Sequence, residues 1–326
     1  MSSVKDVAKL AEVSVATVSR VLNQDPTVKT KNRLKVLKAI DELHFSPNIL
    51  AKNLRKKSSS TIVIVMSSIS NPFFADIVKG AQEAIRDSNG YNMIIGTTEW
   101  QADTYRNMLR TNQVDGILVI SSWANEQTIQ DLNAHYPVVM CNEYYENMNL
   151  SYVAIDNRKA SYDAACELLQ RGCKHIVYVA GAKDSSSVKD RLGGFKQALA
   201  DAGVTFQPHF FVQPKKGREE IGTLLNDMVD RGIPIDGLLT HSDLYAAHIL
   251  KGMEDRTIHL DRKTGLISFA GTFVTQITSP RISSIVQPAY ELGFTSVQLL
   301  LRKIKNKEIH KSKQVILNHQ LVIRET

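Results

Sequence analysis

Apolar positions recur with a helical period at the start of the chain. Over Val4–Asn23, VKDVAKLAEVSVATVSRVLN, the residues Val4, Val7, Ala8 and Ala11 share one face, and Val18, Val21 and Leu22 share the face of a second helix. Ser3 and Asp6 have the spacing of a capping box, and Ser14 stands where it can cap the second helix. Helices this short persist only when packed on each other, which predicts a helix-turn-helix. The second helix turns outward Val15, Ala16, Thr17, Ser19 and Arg20. Small, apolar and hydroxyl side chains with one guanidinium suit base edges and phosphates in a major groove. A third helix is predicted over about Thr30–Leu43, with Leu34, Leu37, Ile40 and Leu43 inward and Lys31, Arg33, Lys35 and Lys38 outward. Residues 1–45 thus form a small helical headpiece.

Ser46 and Pro47 then signal a helix start, as N-cap and first helical residue. The helix would run only to Arg55, too short to hold alone in water. Lys56-Lys57-Ser58-Ser59-Ser60 reads as a polar junction, so 46–60 is a hinge and linker. From Thr61 the texture changes. Apolar β-rich runs (Thr61–Met66, Tyr91–Ile95, Gly116–Ser121, Pro137–Met140) alternate with amphipathic helical stretches (Pro72–Ser88, Ala102–Asn112, Asn125–Leu132). A second series follows: Arg158–Arg171, His175–Val179, Val188–Ala202, Arg218–Arg231, Gly237–Thr240, Asp243–Met253 and Leu266–Ala270. Near-continuous Val/Ile/Leu strands between helices predict parallel sheets covered on both faces. The fold class is α/β: a three-helix headpiece, a hinge helix and two Rossmann-like lobes in tandem.

Charge sharpens this division. The net charge of +7 lies wholly in residues 1–60, which hold twelve Lys and Arg against five Asp and Glu; the remainder is balanced. A basic domain beside a neutral one is the footprint of phosphate neutralisation. Cys141, Cys166 and Cys173 have neither metal-ligand nor redox spacing and read as buried thiols of a cytoplasmic protein. No apolar run is long enough to span a membrane, and none resembles an export signal.

DVAKLAEVSVATVSRVLN resembles the DNA-reading helices of the LacI/GalR family of bacterial transcription regulators almost position for position. Glu12 departs from it, standing where the family has glycine in the turn, and positive φ there would strain it. By this resemblance Val15 and Ala16 specify bases and Arg20 contacts bases or phosphate; Ser14, Thr17, Ser19 and Asn23 complete the headpiece contacts. Pro47–Arg55 resembles the family hinge helix, which folds when two copies pair in the minor groove. Asn48, Ala51, Leu54 and Arg55 are then DNA contacts, with Leu54 as the wedge that kinks the duplex. A plain linker helix with Leu54 on its buried side is the alternative. The family fold implies lobes like those of periplasmic sugar-binding proteins, with three chain crossings. The lobe nearest DNA would comprise 61–156 and 289–314, and the far lobe 157–288 and 315–326. Ser283–Pro288 matches a crossing motif.

Ligands of open α/β sheets bind beyond the carboxyl ends of the strands. Phe73 and Phe74, after the first strand, either stack on a ligand or join the core; the resemblance assigns this segment to the cleft. Arg191 matches a family arginine that binds effector hydroxyl or carboxylate groups, and a guanidinium offers a rigid fork of donors for that. Ser242 replaces a family asparagine. Asp243 matches an aspartate that touches ligand or caps the next helix, and Ala270 stands where a ligand-binding aspartate is common. Asn142, Trp100 and Trp123 follow other strands, and Lys183 is either an anion contact or a solvated loop residue.

The sequence lacks G-x-S-x-G, Walker A, G-x-G-x-x-G and H-E-x-x-H, and its nine histidines are scattered without ligand spacing. No catalytic residue, cofactor or metal is expected. The expected function is a sequence-specific DNA-binding regulator, a repressor, acting as a homodimer on a near-palindromic operator. Its effector would be a carbohydrate or phosphorylated carbohydrate bound between the lobes. A sugar-binding protein without DNA function and a sugar-modifying enzyme are the rival readings.

Overall fold

The computed structural model describes residues 3–23, 25–45, 58–88, 90–97, 101–120, 125–181, 185–306 and 312–326. Asn48, Ala51, Leu54 and Arg55 of the expected hinge lie outside the described residues, as do Trp100, Trp123 and Lys183. The contacts divide the chain into two units, 1–59 and 60–326.

In the first unit, helices α1 (Val4–Leu10), α2 (Val15–Leu22) and α3 (Thr30–Glu42) enclose a core of Val7, Ala8, Ala11, Val18, Val21, Val36, Ala39 and Phe45. The capping box is present: Ser3 Oγ accepts from the Asp6 N–H, and the Asp6 carboxylate accepts from the Ser3 N–H at 2.7 Å. Ser14 Oγ caps α2 by accepting from Thr17 N at 3.2 Å. Glu12 adopts φ 53°, the left-handed conformation that glycine occupies at no steric cost. Its carboxylate accepts from Lys35 Nζ on α3 at 2.7 Å, a contact glycine would lack. The expected inner stripe of α3 needs correction. Leu34 and Leu37 are 63 % and 50 % exposed, and Val36 and Ala39 are buried instead, with Ile40 and Leu43 packed beside them. The small Val and Ala faces of α1 and α2 admit the small residues of α3, and the two leucines are turned out.

The second unit carries two six-stranded sheets. The first has the order β11-β5-β4-β3-β1-β2, with β1 Thr61–Met66, β2 Asn92–Thr97, β3 Gly116–Val119, β4 Val138–Cys141, β5 Ser151–Ile155 and β11 Gln314–Leu317, all pairs parallel. The second has the order β12-β10-β9-β8-β6-β7, with β6 Ile176–Val179, β7 Phe211–Val212, β8 Gly237–Thr240, β9 Gly265–Ala270, β10 Ser283–Val286 and β12 Gln320–Val322. Among the described residues only its β10–β12 pair is antiparallel. Ile62, Ile64 and Met66 of β1 face one core cluster while Val63 and Val65 face another, as befits a strand covered on both sides. The chain passes from the first sheet to the second after β5, returns after β10, and crosses again after Leu317, three residues later than the boundary expected after 314.

Helices α4 (Pro72–Arg86), α5 (Ala102–Arg110), α6 (Glu126–His135) and α12 (Ala289–Asn306) accompany the first sheet. Helices α7 (Asn157–Gln170), α8 (Ser186–Asp201), α9 (Ile221–Asp230), α10 (Asp243–Glu254) and the short α11 (Val274–Ile277) accompany the second. Glycines let α4 and α12 touch backbone to backbone. A Cβ on Gly293 would fall 1.8 Å from Ile77 O, and one on Gly80 1.9 Å from Tyr290 O.

Candidate functional site

The headpiece presents one polar face. Val15, at 46 % exposure, Ala16, Ser19, Arg20 and Asn23 are exposed on α2, and Thr17 is half-buried with its Oγ1 2.9 Å from Ser14 Oγ. Val18 and Val21 of the same helix are buried, so helical spacing sends these two sets to opposite sides. The buried side fixes the helix on α1 and α3, and the exposed side is free to meet another surface.

The core unit holds a cavity of about 480 Å³ at the carboxyl ends of strands from both sheets. Ser67, Ser68, Ser70, Asn71, Phe73 and Phe74 enter it after β1, and Asn142 and Glu143 after β4. Gly181 enters after β6, His241 and Ser242 after β8, Ala270 at the end of β9, and Gln287 after β10. Asn71 Oδ1 caps α4 by accepting from Phe73 N at 3.1 Å, which holds both phenylalanines at the cavity wall. Phe73 is buried in the core cluster and Phe74 packs half-buried against it.

Arg191 comes up from α8. Its Nε donates to Asn157 Oδ1 at 2.9 Å, Nη1 to His241 O at 3.1 Å and to His241 Nδ1 at 3.2 Å, and Nη2 to Gln287 Oε1 at 3.4 Å. The guanidinium lies 3.8 Å from the centre of the Phe269 ring. Burial works against its charge, and burial together with the Arg191 cation pushes the His241 imidazole down to about 3, so the ring is neutral. Gln287 Nε2 continues the network to Asn142 Oδ1 at 2.9 Å. Asn142 adopts φ 65°, a conformation asparagine tolerates better than most residues.

The two sheets are also tied across the cavity. Glu143 Oε1 accepts from Ser187 Oγ at 2.6 Å, and Oε2 accepts from Ser186 Oγ at 2.6 Å and Ser187 N at 3.2 Å. Tyr144 adds its N–H to Ser186 Oγ at 3.0 Å and its hydroxyl to Asp190 at 2.6 Å. Ser186 and Ser187 open α8, so the Glu143 carboxylate sits at a helix N-terminus, where backbone N–H groups favour negative charge.

Of the residues expected in the cleft, Phe73, Phe74, Asn142, Arg191, Ser242 and Ala270 line the cavity. Asp243 does not. It is buried behind the wall, where its carboxylate accepts from Ser268, from Thr272 N at 2.6 Å and Oγ1 at 2.8 Å, and from Ser284 at 3.1 Å. Ser242, not Asp243, caps α10, accepting from Tyr245 N. Burial raises the Asp243 pKa, with these hydrogen bonds pulling against it. Sequence reading did not single out Glu143, Asn157, His241 or Gln287 as site residues. His241 and Gln287 directly follow a strand, and Glu143 and Asn157 lie two residues past one, which is the signal that would have found them. Among the described residues no group of three or more His, Cys, Asp or Glu is placed to hold a metal ion.

A helix-turn-helix unit followed in sequence by a two-lobed α/β unit around a polar cleft defines a DNA-binding regulator with a ligand-binding core. Residues 3–48 match the model of bacterial regulatory proteins of the lacI family. Residues 58–325 match that of periplasmic binding proteins and the sugar binding domain of the LacI family. The chain belongs to this family. It is 31 % identical to the HTH-type transcriptional regulator RegA of Clostridium saccharobutylicum over all of this chain and 99 % of that one. It is 29 % identical to catabolite control protein A of Priestia megaterium over 99 % of this chain and 98 % of that one. Among solved structures, the transcriptional regulator CelR–cellobiose complex superposes with a TM-score of 0.75 at 25 % identity, covering 100 % and 99 % of the two chains. The lac repressor dimer bound to operator and the anti-inducer ONPF superposes with a TM-score of 0.84 at 23 % identity, covering 99 % and 98 %.

Proposed function

We propose that the chain is a transcriptional repressor acting as a homodimer in the cytoplasm, and that a small polar effector bound in the cleft sets its affinity for a near-palindromic operator. The observation that carries this is the headpiece face. A capped helix packed through Val18 and Val21 exposes Val15, Ala16, Ser19 and Arg20, and all of the net charge of +7 lies in residues 1–60. Two copies present two such helices, which is the geometry a near-palindrome requires. Val15 and Ala16 read base edges; Ser14, Thr17, Ser19, Arg20 and Asn23 contact bases and phosphates. The hinge residues Asn48, Ala51, Leu54 and Arg55 enter the minor groove between the paired subunits. In the cleft Phe73, Phe74, Asn142, Arg191, Ser242 and the Ala270 backbone surround the effector, and Asp243 supports the wall from behind. A relative at 30 % identity is a ribose operon repressor, and the structural neighbour CelR is complexed with cellobiose, which favours a carbohydrate or a derivative of one. Binding, not catalysis, is the activity of the cleft. No described helix is long and apolar enough to cross a membrane.

The switch acts through the angle between the lobes. An effector that prefers one angle biases the equilibrium by its differential affinity for the two states. The test is operator binding as a function of salt. Several phosphate contacts give a steep inverse dependence, and Arg20→Ala abolishes specific binding while Arg191→Ala retains it but loses the effector response. Salt-independent binding, or operator affinity unchanged by Arg20→Ala, overturns the reading.

A further inference from the structure

The floor of the cleft is a set of donors with no carboxylate bonded to it; Glu143 and Asp190 act on Arg191 only from a distance. Arg191 is 2 % exposed, and its four contacts are all neutral acceptors: Asn157 Oδ1, His241 O, His241 Nδ1 and Gln287 Oε1. A guanidinium only donates, so His241 Nδ1 is the acceptor of that pair and the ring proton is on Nε2. That nitrogen is held beside Gly181, where a Cβ would come within 2.8 Å of it, and Gly181 and His241 both border the cavity. Asn157, 1 % exposed, spends its Oδ1 on Arg191, and among the described residues its Nδ2 has no partner.

Two carboxylates border the cavity, and neither contacts Arg191. Glu143 has both oxygens engaged by Ser186 and Ser187, and Glu219 pairs with Arg218 at 3.2 Å. Asp243 is engaged behind the wall. At the end of β9, Ala270 brings a methyl group where a side-chain acceptor would balance the floor. A buried charge without a bonded counter-ion favours a ligand that supplies one. Above the floor, Ser67, Ser68, Ser70 and Asn71 offer hydroxyls and an amide, and Phe74 and Tyr245 offer aromatic surface.

We infer that the ligand carries an anionic oxygen group, a carboxylate or a phosphate, seated on Arg191 and the Nε2–H of His241, and that His241 sets the preference for it over a neutral sugar. The body of the ligand is a polyol with an apolar face, which makes it a sugar acid or a sugar phosphate. This rests on the cleft being the effector site.

The test uses the full chain. Inorganic phosphate at constant ionic strength stabilises the wild type against heat in a saturable way. His241→Phe removes the stabilisation, and His241→Gln, which keeps a donor, restores part of it. Ala270→Asp, which puts a carboxylate on the floor, cancels it. Calorimetry with gluconate, glucose 6-phosphate and glucose then separates the sources of charge. At least one of the two anions binds about tenfold tighter than glucose in the wild type, and that ratio collapses in His241→Phe. Absence of saturable stabilisation, an undiminished effect in His241→Phe or Ala270→Asp, or glucose binding as tightly as both anions overturns the inference. Operator affinity measured alongside keeps the two readings apart. Anion binding without any change at the operator leaves this inference standing and removes the regulatory one. Preferential glucose binding that does shift operator affinity does the reverse.

Discussion

Replacing the Glu143 carboxylate by an amide loosens one lobe from the other. Glu143 accepts three hydrogen bonds from the first turn of α8: Ser186 Oγ and Ser187 Oγ at 2.6 Å and Ser187 N at 3.2 Å. The amide of Glu143→Gln satisfies the same groups, its oxygen accepting from Ser186 Oγ and Ser187 N and its nitrogen donating to Ser187 Oγ. What is lost is the charge. Hydrogen bonds to an ionised group contribute about 1.5–3 kcal/mol net against about 0.5–1.5 for neutral ones, so three weakened bonds cost roughly 2 kcal/mol after allowing for non-additivity. Glu143→Ala removes all three and costs roughly 4 kcal/mol on the same scale. The Ser187 N–H reports the opening directly, because its hydrogen bond crosses from one lobe to the other. With local opening as the route to exchange, its amide exchange accelerates about 30-fold in Glu143→Gln and about 1000-fold in Glu143→Ala. A double-mutant cycle of Glu143→Gln with Ser186→Ala shows coupling of about 1 kcal/mol. Exchange rates within twofold of wild type in both variants, or strict additivity in the cycle, would refute the clasp.

Three further outcomes follow from the geometry. Gly293→Ala drives a methyl group toward Ile77 O, 1.8 Å from the added Cβ, and forces α4 and α12 apart; the core loses about 3 kcal/mol or more and its melting temperature falls by at least about 6 °C, and an unchanged value sinks the backbone contact. The folded His241 imidazole resists protonation down to about 3 while the unfolded one titrates at 6.5, so its contribution is complete above pH 6.5 and is lost as the pH falls toward 3. Urea unfolding shows this as up to about 1.4 kcal/mol per pH unit, present in the wild type and missing in His241→Phe; equal slopes in the two proteins would count against a neutral ring. Glu12→Gly exchanges the Lys35 ion pair for an unstrained turn, and in about 1 M salt, where that pair is screened, the headpiece melts at a higher temperature; a lower one means that the turn stores no strain.

How far the residues spoke for themselves depended on the distance over which each feature is decided. The headpiece was legible because its signals are local: Ser3 with Asp6, Ser14 with Thr17, and valines and alanines one turn apart. Its third helix was misread because Leu34, Val36, Leu37, Ala39, Ile40 and Leu43 offer two overlapping stripes, and the choice between them belongs to α1 and α2. Long apolar strands such as Thr61–Met66 stand out, whereas β7, β11 and β12 lie at sheet edges, and β5 and β10 have serine and small residues among their apolar ones, so none of these five reads as a strand from its pattern alone. In the cleft, the strand-end rule brings out Phe73 and Asn142, and the family resemblance brings out Arg191, which rises from α8. The partners of Arg191 lie 34, 50 and 96 residues away in sequence, at Asn157, His241 and Gln287, and only the fold brings them to it. Asp243 is expected to touch ligand or cap the next helix through its match to a family aspartate; Ser268, Thr272 and Ser284, which only the fold brings to it, hold its carboxylate instead.

The order in which the first sheet is completed bears on synthesis. Its edge strand Gln314–Leu317 and the helix Ala289–Asn306 that locks onto Gly80 are both encoded after the whole of the second sheet except β12. A ribosome that has delivered Thr61–Ile155 has therefore released a half-built layer, with β5 unpaired on one side and the α4 face bare. The α4 face must wait for about 135 more residues and the β5 edge for about 160, more than ten seconds at bacterial elongation rates near the middle of the usual range. The lobe built on the first sheet is thus begun before the other and finished almost last, and chaperone capture of nascent chains is expected to concentrate in that interval.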